Sequence, residues 1–264
     1  MTFKCERSEN IARLTLNRPE KHNAMDRNFF KGLQSHFTRF DQDPGVRVVV
    51  IRSAGKSFSA GTDLDEAAAM LTGPGADQRE FLRNRISELQ ESISAIENCR
   101  KPVIAAVHGH CLGGGLDLIC ACDIRLADVS AIFSIRETRM GIIADLGVLQ
   151  RLPLIIGDSR FRELAYTGRD FDAEEALQAG LISKICNDRD ALYAHAEEIA
   201  RRIAANPPLT VQGTKEVVRF SRDHGVKAGL DYAARLNTVV LLSEDLREAF
   251  TAFNEKRRPL FKGK

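Results

Sequence analysis

The sequence predicts an α/β fold followed by a helical C-terminal region, and three observations support this prediction. Val46–Arg52 is a short β-branched run, apolar in its middle, as expected for a buried parallel strand. Strand patterns of this kind alternate with amphipathic helical patterns up to about residue 205. From Leu209 to Lys256 only helical patterns remain. We therefore expect a core over residues 1–205 and a helical region over residues 206–264.

The first half of the chain predicts a hairpin, a helix, a strand and a second helix. Phe3–Glu6 and Ile11–Leu16 alternate as strands around a polar turn. Five apolar positions at helical spacing predict a helix over Arg27–Gln42. After the Val46–Arg52 strand, apolar residues that step by three and four predict a long amphipathic helix through Leu82–Ile96.

The second half continues with strands. Val103–Val107 is wholly apolar, and Asp123–Asp128 and Ala131–Ile135 follow as two shorter strands. Ile182–Ile185 and a helix over Ala191–Ala205 continue the alternation.

The helical region starts after Asn206 and has breaks near His224 and Glu244. It has too few neighbouring elements of its own to bury its apolar faces. Such a region usually packs on its own core or on a neighbouring subunit, so we expect an oligomer.

Composition excludes several classes of protein. The 264 residues carry a net charge of +2, which is too near neutral to indicate a nucleic-acid or membrane-surface partner. No apolar run approaches the roughly 20 residues that a membrane span needs. The six cysteines lack the spacing of a zinc site, which favours free thiols in a reducing compartment and no metal. The chain enters a strand directly after Met1, so we expect no signal peptide and a cytoplasmic location.

The most informative segment is the glycine run Gly113–Gly115, which follows the Val103–Val107 strand. Because glycine has no Cβ, a ligand can approach the main chain closely there. If a helix begins at this run, its first N–H groups have no internal partner and its dipole favours negative charge. That geometry stabilises an oxyanion, and Asp117 would add a carboxylate nearby.

The alternative is a glycine turn that only lets a helix and a sheet pack closely. A dinucleotide site is disfavoured, because the glycines are contiguous and do not follow the G-x-G-x-x-G pattern.

A second segment of small residues, Lys56–Leu64, follows the Val46–Arg52 strand. We expect Asp63 to begin a helix there. Two chain segments that end strands with exposed N–H groups can form a two-donor oxyanion hole, in which each donor contributes about 3–4 kcal/mol of transition-state stabilisation.

A third segment places Glu137 and Asp145 in mostly apolar surroundings. From the residues alone, Asp145 either caps a helix that begins at Leu146 or acts as an acid/base group whose pKa burial has raised. Both interpretations remain open at this point.

Together these segments resemble the crotonase (enoyl-CoA hydratase/isomerase) superfamily over essentially the whole chain. The resemblance implies a crotonase-like spiral core of ββα repeats, a helical C-terminal trimerisation region and acyl-CoA thioesters as ligands. The matching segments are the Asn17–Ala24 turn, Ser59–Leu64, the Gly109–Asp123 block and Gln150–Pro153.

The resemblance also implies roles for individual residues. The main-chain N–H groups of Ala60 and Gly114 would hold the thioester oxygen. The residues that the resemblance assigns to CoA and substrate binding are Arg18, Ala24, Ser59, Thr62, Asp63, Leu64, Phe253 and Lys256. From their position, Met70 and Leu71 either border the acyl slot or belong to a plain helix face, and both interpretations stay open.

Within the superfamily the acidic residues decide the reaction. Hydratases use two glutamates, whereas this chain has Asp117 at the first position, keeps Glu137 at the second and adds Asp145. This trio resembles that of the enzymes that convert 3,5-dienoyl-CoA to 2,4-dienoyl-CoA. Glu137 would then be the base at the near carbon and Asp145 the acid at the far carbon, with Asp117 orienting or polarising. The resemblance implies no metal or redox cofactor.

Two alternatives remain. A 2-enoyl-CoA hydratase would need Asp117, one methylene shorter than glutamate, to reach the attacking water. A non-catalytic crotonase-like binding protein would not need three acids.

Overall fold

The computed structural model describes residues 1–70 and 75–264. Nearly all of the predicted strands are present in it. The strands of the described residues are β1 (Phe3–Ser8), β2 (Ile11–Leu16), β3 (Val48–Ser53), β4 (Val103–Val107), β5 (His110–Leu112), β6 (Ile124–Asp128), β7 (Ile132–Ser134), β8 (Phe171–Asp172) and β9 (Ile185–Cys186).

These strands form two sheets. The larger sheet has the order β1-β2-β3-β4-β6-β9, in which β1 is antiparallel and every other pair is parallel. The smaller sheet has the order β5-β7-β8. Because β4 and β5 are separated by only two residues, the chain passes from one sheet to the other just before the glycine run.

The helices lie around and beyond these sheets. In the described residues they are α1 (Arg27–Gln42), α2 (Leu64–Met70), α3 (Ala76–Asn98), α4 (Gly114–Cys120), α5 (Val148–Ile156), α6 (Asp158–Thr167), α7 (Ala173–Gln178), α8 (Arg189–Ala204), α9 (Pro208–His224), α10 (Val226–Val240) and α11 (Glu244–Asn254). None of the helices in the described ranges is long and apolar enough to cross a membrane.

Helix α1 illustrates how the pattern produces the core. The Asp26 carboxylate caps it by accepting a hydrogen bond from the Phe29 N–H, at 2.7 Å. Its apolar residues lie on one face and are all buried, which confirms the predicted helix and its bounds. The same face contributes to the main apolar cluster, together with strands β2, β3 and β4.

Several predicted boundaries shift by one or more residues, and two of these shifts are instructive. The strand expected over Ile182–Ile185 is reduced to β9, because Leu181 and Ile182 donate their N–H groups to the Ala176 carbonyl and complete the turn after α7. The helix expected from Leu146 begins at Val148, with Gly147 as its N-cap.

The C-terminal helices differ from the rest. Helix α9 has no buried residue and α10 buries only Gly229. The apolar side chains that this region leaves exposed are Val218, Val226, Leu230, Val239, Leu241, Leu242, Phe250 and Phe253.

Candidate active site

The glycine run forms the start of helix α4, as its sequence predicts. Gly113 has a φ of 50°, a left-handed conformation that glycine adopts without strain, and its N–H donates to the Ser134 carbonyl at 2.9 Å. Gly114 is the first residue of α4, so its N–H has no carbonyl one turn earlier to bind. A side-chain carbon on Gly113 would lie 3.0 Å from Oε1 of Glu137, so the glutamate carboxyl lies against this turn.

The second segment of small residues runs beside β5. The Ser59 N–H donates to the His110 carbonyl and the Leu112 N–H to the Ser59 carbonyl, at 2.9 and 3.0 Å. The buried Ser59 hydroxyl donates to the Asn23 carbonyl and accepts from the Gly61 N–H. Ser59 therefore shapes this loop from inside.

The structure corrects the expected role of Ala60. Its N–H donates to the His22 carbonyl at 3.0 Å and so is not available to a thioester oxygen. The Thr62 N–H takes its place, because no group in residues 1–70 or 75–264 accepts a hydrogen bond from it. A side-chain carbon on Gly114 would lie 3.6 Å from the Thr62 nitrogen, so the two amides are neighbours.

The direction of the Thr62 amide follows from a short parallel bridge with Met25. In that bridge the Met25 N–H donates to the Gly61 carbonyl and the Asp63 N–H donates to the Met25 carbonyl. Because successive backbone groups of an extended chain alternate in direction, the N–H of Thr62 points away from Met25. The candidate oxyanion hole therefore consists of the amides of Thr62 and Gly114.

Asp117 is fully buried in the first turn of α4. Its Oδ1 accepts a hydrogen bond of 2.6 Å from the Val148 N–H, while its Oδ2 has no partner within the described residues. Burial and the negative charge of Glu137 raise the pKa of Asp117 to about 8. Asp117 is therefore mostly protonated at neutral pH.

Glu137 opens a 3-10 turn that follows β7. Its Oε2 is buried and has no hydrogen-bond partner in the described part of the chain. Burial and the charge of Asp145 raise the pKa of Glu137, and burial also raises the pKa of Asp145. The charge of Asp145 also raises the pKa of Asp117. The structure thus brings the three predicted acids within electrostatic reach of one another.

The helix-cap interpretation of Asp145 is wrong. Helix α5 has no side-chain cap from its preceding residues. Instead Asp117, 31 positions earlier in the chain, binds the Val148 N–H in the first turn. Asp145 is therefore left without a structural role as a cap.

The predicted CoA-binding residues near the N-terminus form one polar cluster. The Arg18 guanidinium donates to the Ala24 carbonyl at 2.7 Å and pairs with Asp26 and Asp63, at 3.0 and 3.4 Å. Asp63 directly precedes α2, as predicted, and Leu64 begins that helix with an exposed side chain. Because two carboxylates balance the Arg18 charge, its main effect here is to hold the turn against α2.

The C-terminal pair is separate from this cluster. Phe253 is 82% exposed near the end of α11, and Lys256 follows in an exposed turn. Within the described ranges neither side chain has a hydrogen bond, ion pair or ring contact with the other predicted site residues. Leu71 and the side chain of Met70 lie outside the described residues.

Sequence reasoning missed Asn23. Its side chain donates to the carbonyls of Ala54 and Ser57, both at 2.9 Å, and accepts from the Arg18 N–H at 2.8 Å. This one amide links the N-terminal turn to the loop after β3. Its place in the polar Asn17–Ala24 turn is the signal that the sequence offered, and asparagine tolerates the left-handed conformation (φ 55°) found there.

Two main-chain amides beside carboxyl groups of raised pKa suit an enzyme that moves protons next to a stabilised oxyanion. The chain belongs to the enoyl-CoA hydratase/isomerase family, whose sequence profile matches residues 6–264. This membership confirms the resemblance and the crotonase-like fold class.

Individual relatives agree with this assignment. The peroxisomal Delta(3,5)-Delta(2,4)-dienoyl-CoA isomerase of Arabidopsis thaliana is 44% identical over 95% of this chain and 92% of its own. The mitochondrial protein of that name from Mus musculus is 43% identical over 94% of this chain and 78% of its own. The crystal structure of enoyl-CoA hydratase from Bacillus anthracis superimposes with a TM-score of 0.92 at 34% identity, covering 100% of both chains.

Proposed function

We propose that this protein is an isomerase that converts 3,5-dienoyl-CoA to 2,4-dienoyl-CoA, in the degradation of unsaturated fatty acids. One observation carries the proposal: Asp117 and Glu137 lie beside the glycine run, and Asp145 lies within electrostatic reach of both. The isomerase names of the relatives at 41–44% identity support the same reaction. They also favour an enzyme over a non-catalytic binding protein.

The first requirement of this reaction is stabilisation of negative charge on the thioester oxygen. A thioester acidifies the hydrogens of its neighbouring carbon only if the resulting enolate is stabilised. The N–H groups of Thr62 and Gly114 are the available donors, and Gly114 adds the positive end of the α4 dipole.

Glu137 is placed to act at the near carbon. Its carboxyl lies against Gly113, next to the amide that would hold the thioester oxygen. Burial raises its pKa, which makes its carboxylate a stronger base than one in water. Glu137 would take the proton from the carbon beside the thioester, and the electron pair would spread along the conjugated chain.

Asp145 would complete the isomerisation at the far carbon. Its raised pKa favours the protonated form that can donate there. One C–H bond breaks at the near carbon, one forms at the far carbon, and the two double bonds shift from positions 3,5 to 2,4. Asp117 is mostly protonated at neutral pH and would limit the build-up of negative charge between Glu137 and Asp145.

Binding, assembly and location complete the proposal. The substrate is an acyl-CoA thioester, so CoA enters as part of the substrate. Proton transfer between carboxyl groups and carbon needs no metal or redox cofactor. The resemblance to the crotonase superfamily implies a homotrimer or a dimer of trimers, and the exposed apolar residues of α9 to α11 support association of several chains. We expect no nucleic-acid or membrane partner. A cytoplasmic location stays a prediction, since the relatives named above are peroxisomal or mitochondrial.

The test is an ultraviolet assay of the wild type and Asp145→Asn with 3,5-dienoyl-CoA and with 2-enoyl-CoA. We expect the wild type to form the conjugated 2,4-dienoyl product, and the variant to lose that activity. Turnover of 2-enoyl-CoA alone would indicate the hydratase, and no turnover of either substrate would indicate a binding protein. Full isomerase activity in Asp145→Asn would remove the role given to that residue.

A further inference from the structure

Helix α3 presents three polar side chains to the segment that carries Asp145. Gln90, Ser94 and Glu97 are spaced by four and three residues, which places them on one face of the helix. They contact the chain between Asp145 and Arg151. We call Gln90, Ser94, Glu97, Arg151 and Arg222 the α3 clamp.

The clamp binds main-chain atoms next to the proposed acid. The Gln90 side-chain amide donates to the Asp145 carbonyl at 2.7 Å. The Arg151 guanidinium contacts the Leu146 carbonyl at 3.4 Å and donates to Glu97 through two nitrogens, at 3.0 and 3.2 Å. A fourth contact, to the Ser94 hydroxyl at 3.1 Å, brings four of its five N–H groups into use.

Gly147 lets Arg151 lie this close to the backbone. It has a φ of 123°, and a side-chain carbon there would lie 1.9 Å from Nη1 of Arg151. The guanidinium therefore occupies the space of the missing side chain. The next residue, Val148, supplies the N–H that binds Asp117, so Arg151 contacts the short stretch that joins two of the three acids.

The side chains of Leu146 and Val148 anchor this stretch in the main apolar cluster. A cavity of about 440 Å³ lies beside it, lined among others by Gln90, Glu97, Asp145, Gly147 and Arg222. The polar contacts of the α3 clamp add to the apolar packing by holding the carbonyls of Asp145 and Leu146. Helix α9 takes part, because Arg222 donates to the second oxygen of the Glu97 carboxylate.

The charges of the clamp also act on the site. Burial raises the pKa of Glu97, but hydrogen bonds and charge from Arg222 and Arg151 lower it overall, so Glu97 remains ionised. The positive charge of Arg151 lowers the pKa of Asp117 and so counteracts part of the rise that burial causes. The other titratable groups that act on Asp117, or on which it acts, are Glu137, Asp145, Cys111 and Cys120.

We propose that Arg151 is a positioning residue for the proposed reaction: held by Glu97, it fixes the backbone from Asp145 to Val148 and thereby the spacing between Asp145 and Asp117. Gln90 assists by holding the Asp145 carbonyl. The changes in kcat expected from the Arg151 role rest on the proposed function. The effect of Arg151 on the titration of Asp117 does not depend on the substrate.

The kinetic test compares Arg151→Met, Arg151→Lys and Gln90→Leu with the wild type. Arg151→Met should lower kcat about 10- to 100-fold, because a misplacement near 1 Å has such a cost, while KM changes less than about 3-fold. Arg151→Lys should remain well below the wild type in kcat, since one ammonium cannot replace the planar fork. Gln90→Leu, which removes only the contact to Asp145, should lower kcat about 3- to 10-fold.

The matched control is Arg162→Met, which removes an exposed arginine that pairs with Asp158 on α6. It should leave kcat, KM and the thermal midpoint Tm unchanged. The positioning role would be overturned if Arg151→Met kept kcat within about 2-fold of the wild type, or if Arg151→Lys restored it fully. An unaltered kcat in Gln90→Leu would remove that residue from the clamp.

A second readout separates this proposal from the proposed function. Carbon-13 NMR of the Asp117 carboxyl should show a higher pKa in Arg151→Met and a pKa near the wild-type value in Arg151→Lys. An unchanged pKa in Arg151→Met would contradict the proposal. A wild type without isomerase activity would overturn only the proposed function, because this titration needs no substrate.

Discussion

The core and the helical C-terminal region differ in where their apolar side chains lie. Helix α8, the last helix of the core, buries Leu192 and three alanines at steps of four residues, against the outer face of the large sheet. Helices α9 and α10 fully bury no apolar side chain, and α10 leaves Leu230 and Val226 68% and 77% exposed. The core thus completes its own packing, whereas the helical region does not.

Polar contacts hold the helical region to the core instead. Lys215 donates to the Lys101 carbonyl and pairs with Asp123, at 3.1 and 2.7 Å. Arg219 donates to the Glu97 carbonyl at 3.3 Å, near the C-terminus of α3, where the helix dipole favours positive charge. We therefore expect a division of roles, in which the core carries the chemistry and the helices carry assembly.

The largest expected effect tests the chemical half of this division. Glu137→Gln and Asp145→Asn keep side-chain size but remove a proton-transferring group, so each should lower kcat about 10²- to 10⁴-fold. Light scattering should show the same particle mass as the wild type, because both residues lie in the core. A changed mass, or a kcat within 10-fold of the wild type, would contradict the division.

The next effect concerns the oxyanion hole. In Gly114→Ala the added carbon would lie 3.3 Å from the Met25 sulfur and 3.4 Å from the Thr62 hydroxyl, between the two proposed donors. We expect kcat to fall about 10- to 100-fold with little change in Tm. Gly45→Ala, where the nearest atom belongs to the side chain of Asp43 at a loop, is the control and should keep full activity. Equal activity in the two variants would place the thioester oxygen elsewhere.

A third prediction tests the helical half. Leu230→Glu places a charge on the exposed apolar face of α10 and should dissociate the assembly to single chains, as measured by light scattering. Val129→Glu changes an equally exposed residue of the core and should leave the particle mass unaltered. If both variants kept the wild-type mass, the exposed faces of α10 would have no part in assembly.

The smallest expected effect is on stability. A carboxyl group whose pKa is about 8 in the folded protein and about 3.9 in the unfolded chain stabilises the fold fully below pH 4, and that contribution is lost as the pH rises through 8. The amide in Asp117→Asn cannot ionise, so part of this loss of stability at high pH should be absent in the variant. Its Tm relative to the wild type should be higher by several degrees at pH 8 than at pH 4. A difference in Tm that does not vary with pH would show that Asp117 titrates normally.

Much of the core was predictable because its elements are long and periodic. Helix α1 and strand β4 have the predicted bounds, because α1 has apolar residues at helical spacing and β4 is apolar throughout and buried on both faces. Strands β5 and β8 have only three and two residues, too few for periodicity to detect. The existence of the smaller sheet was therefore not visible in the sequence.

The site was predictable in its residue types but not in its backbone directions. Thr62 and not Ala60 faces Gly114, because a bridge to Met25, 37 positions earlier, orients that amide. Asp117 caps α5 from a distant helix, whereas local reasoning had left the adjacent Asp145 as a candidate for that role. Both outcomes have one cause, since contacts distant in sequence decide which neighbouring group is used.

The most direct test of the account is a crystal structure of the protein with 2,4-dienoyl-CoA bound. The account predicts a thioester oxygen about 2.7–3.1 Å from the nitrogens of both Thr62 and Gly114, with the Glu137 carboxyl at the near carbon and Asp145 at the far carbon. A thioester oxygen bound away from both amides, or the two carboxyl groups in separate cavities, would contradict it.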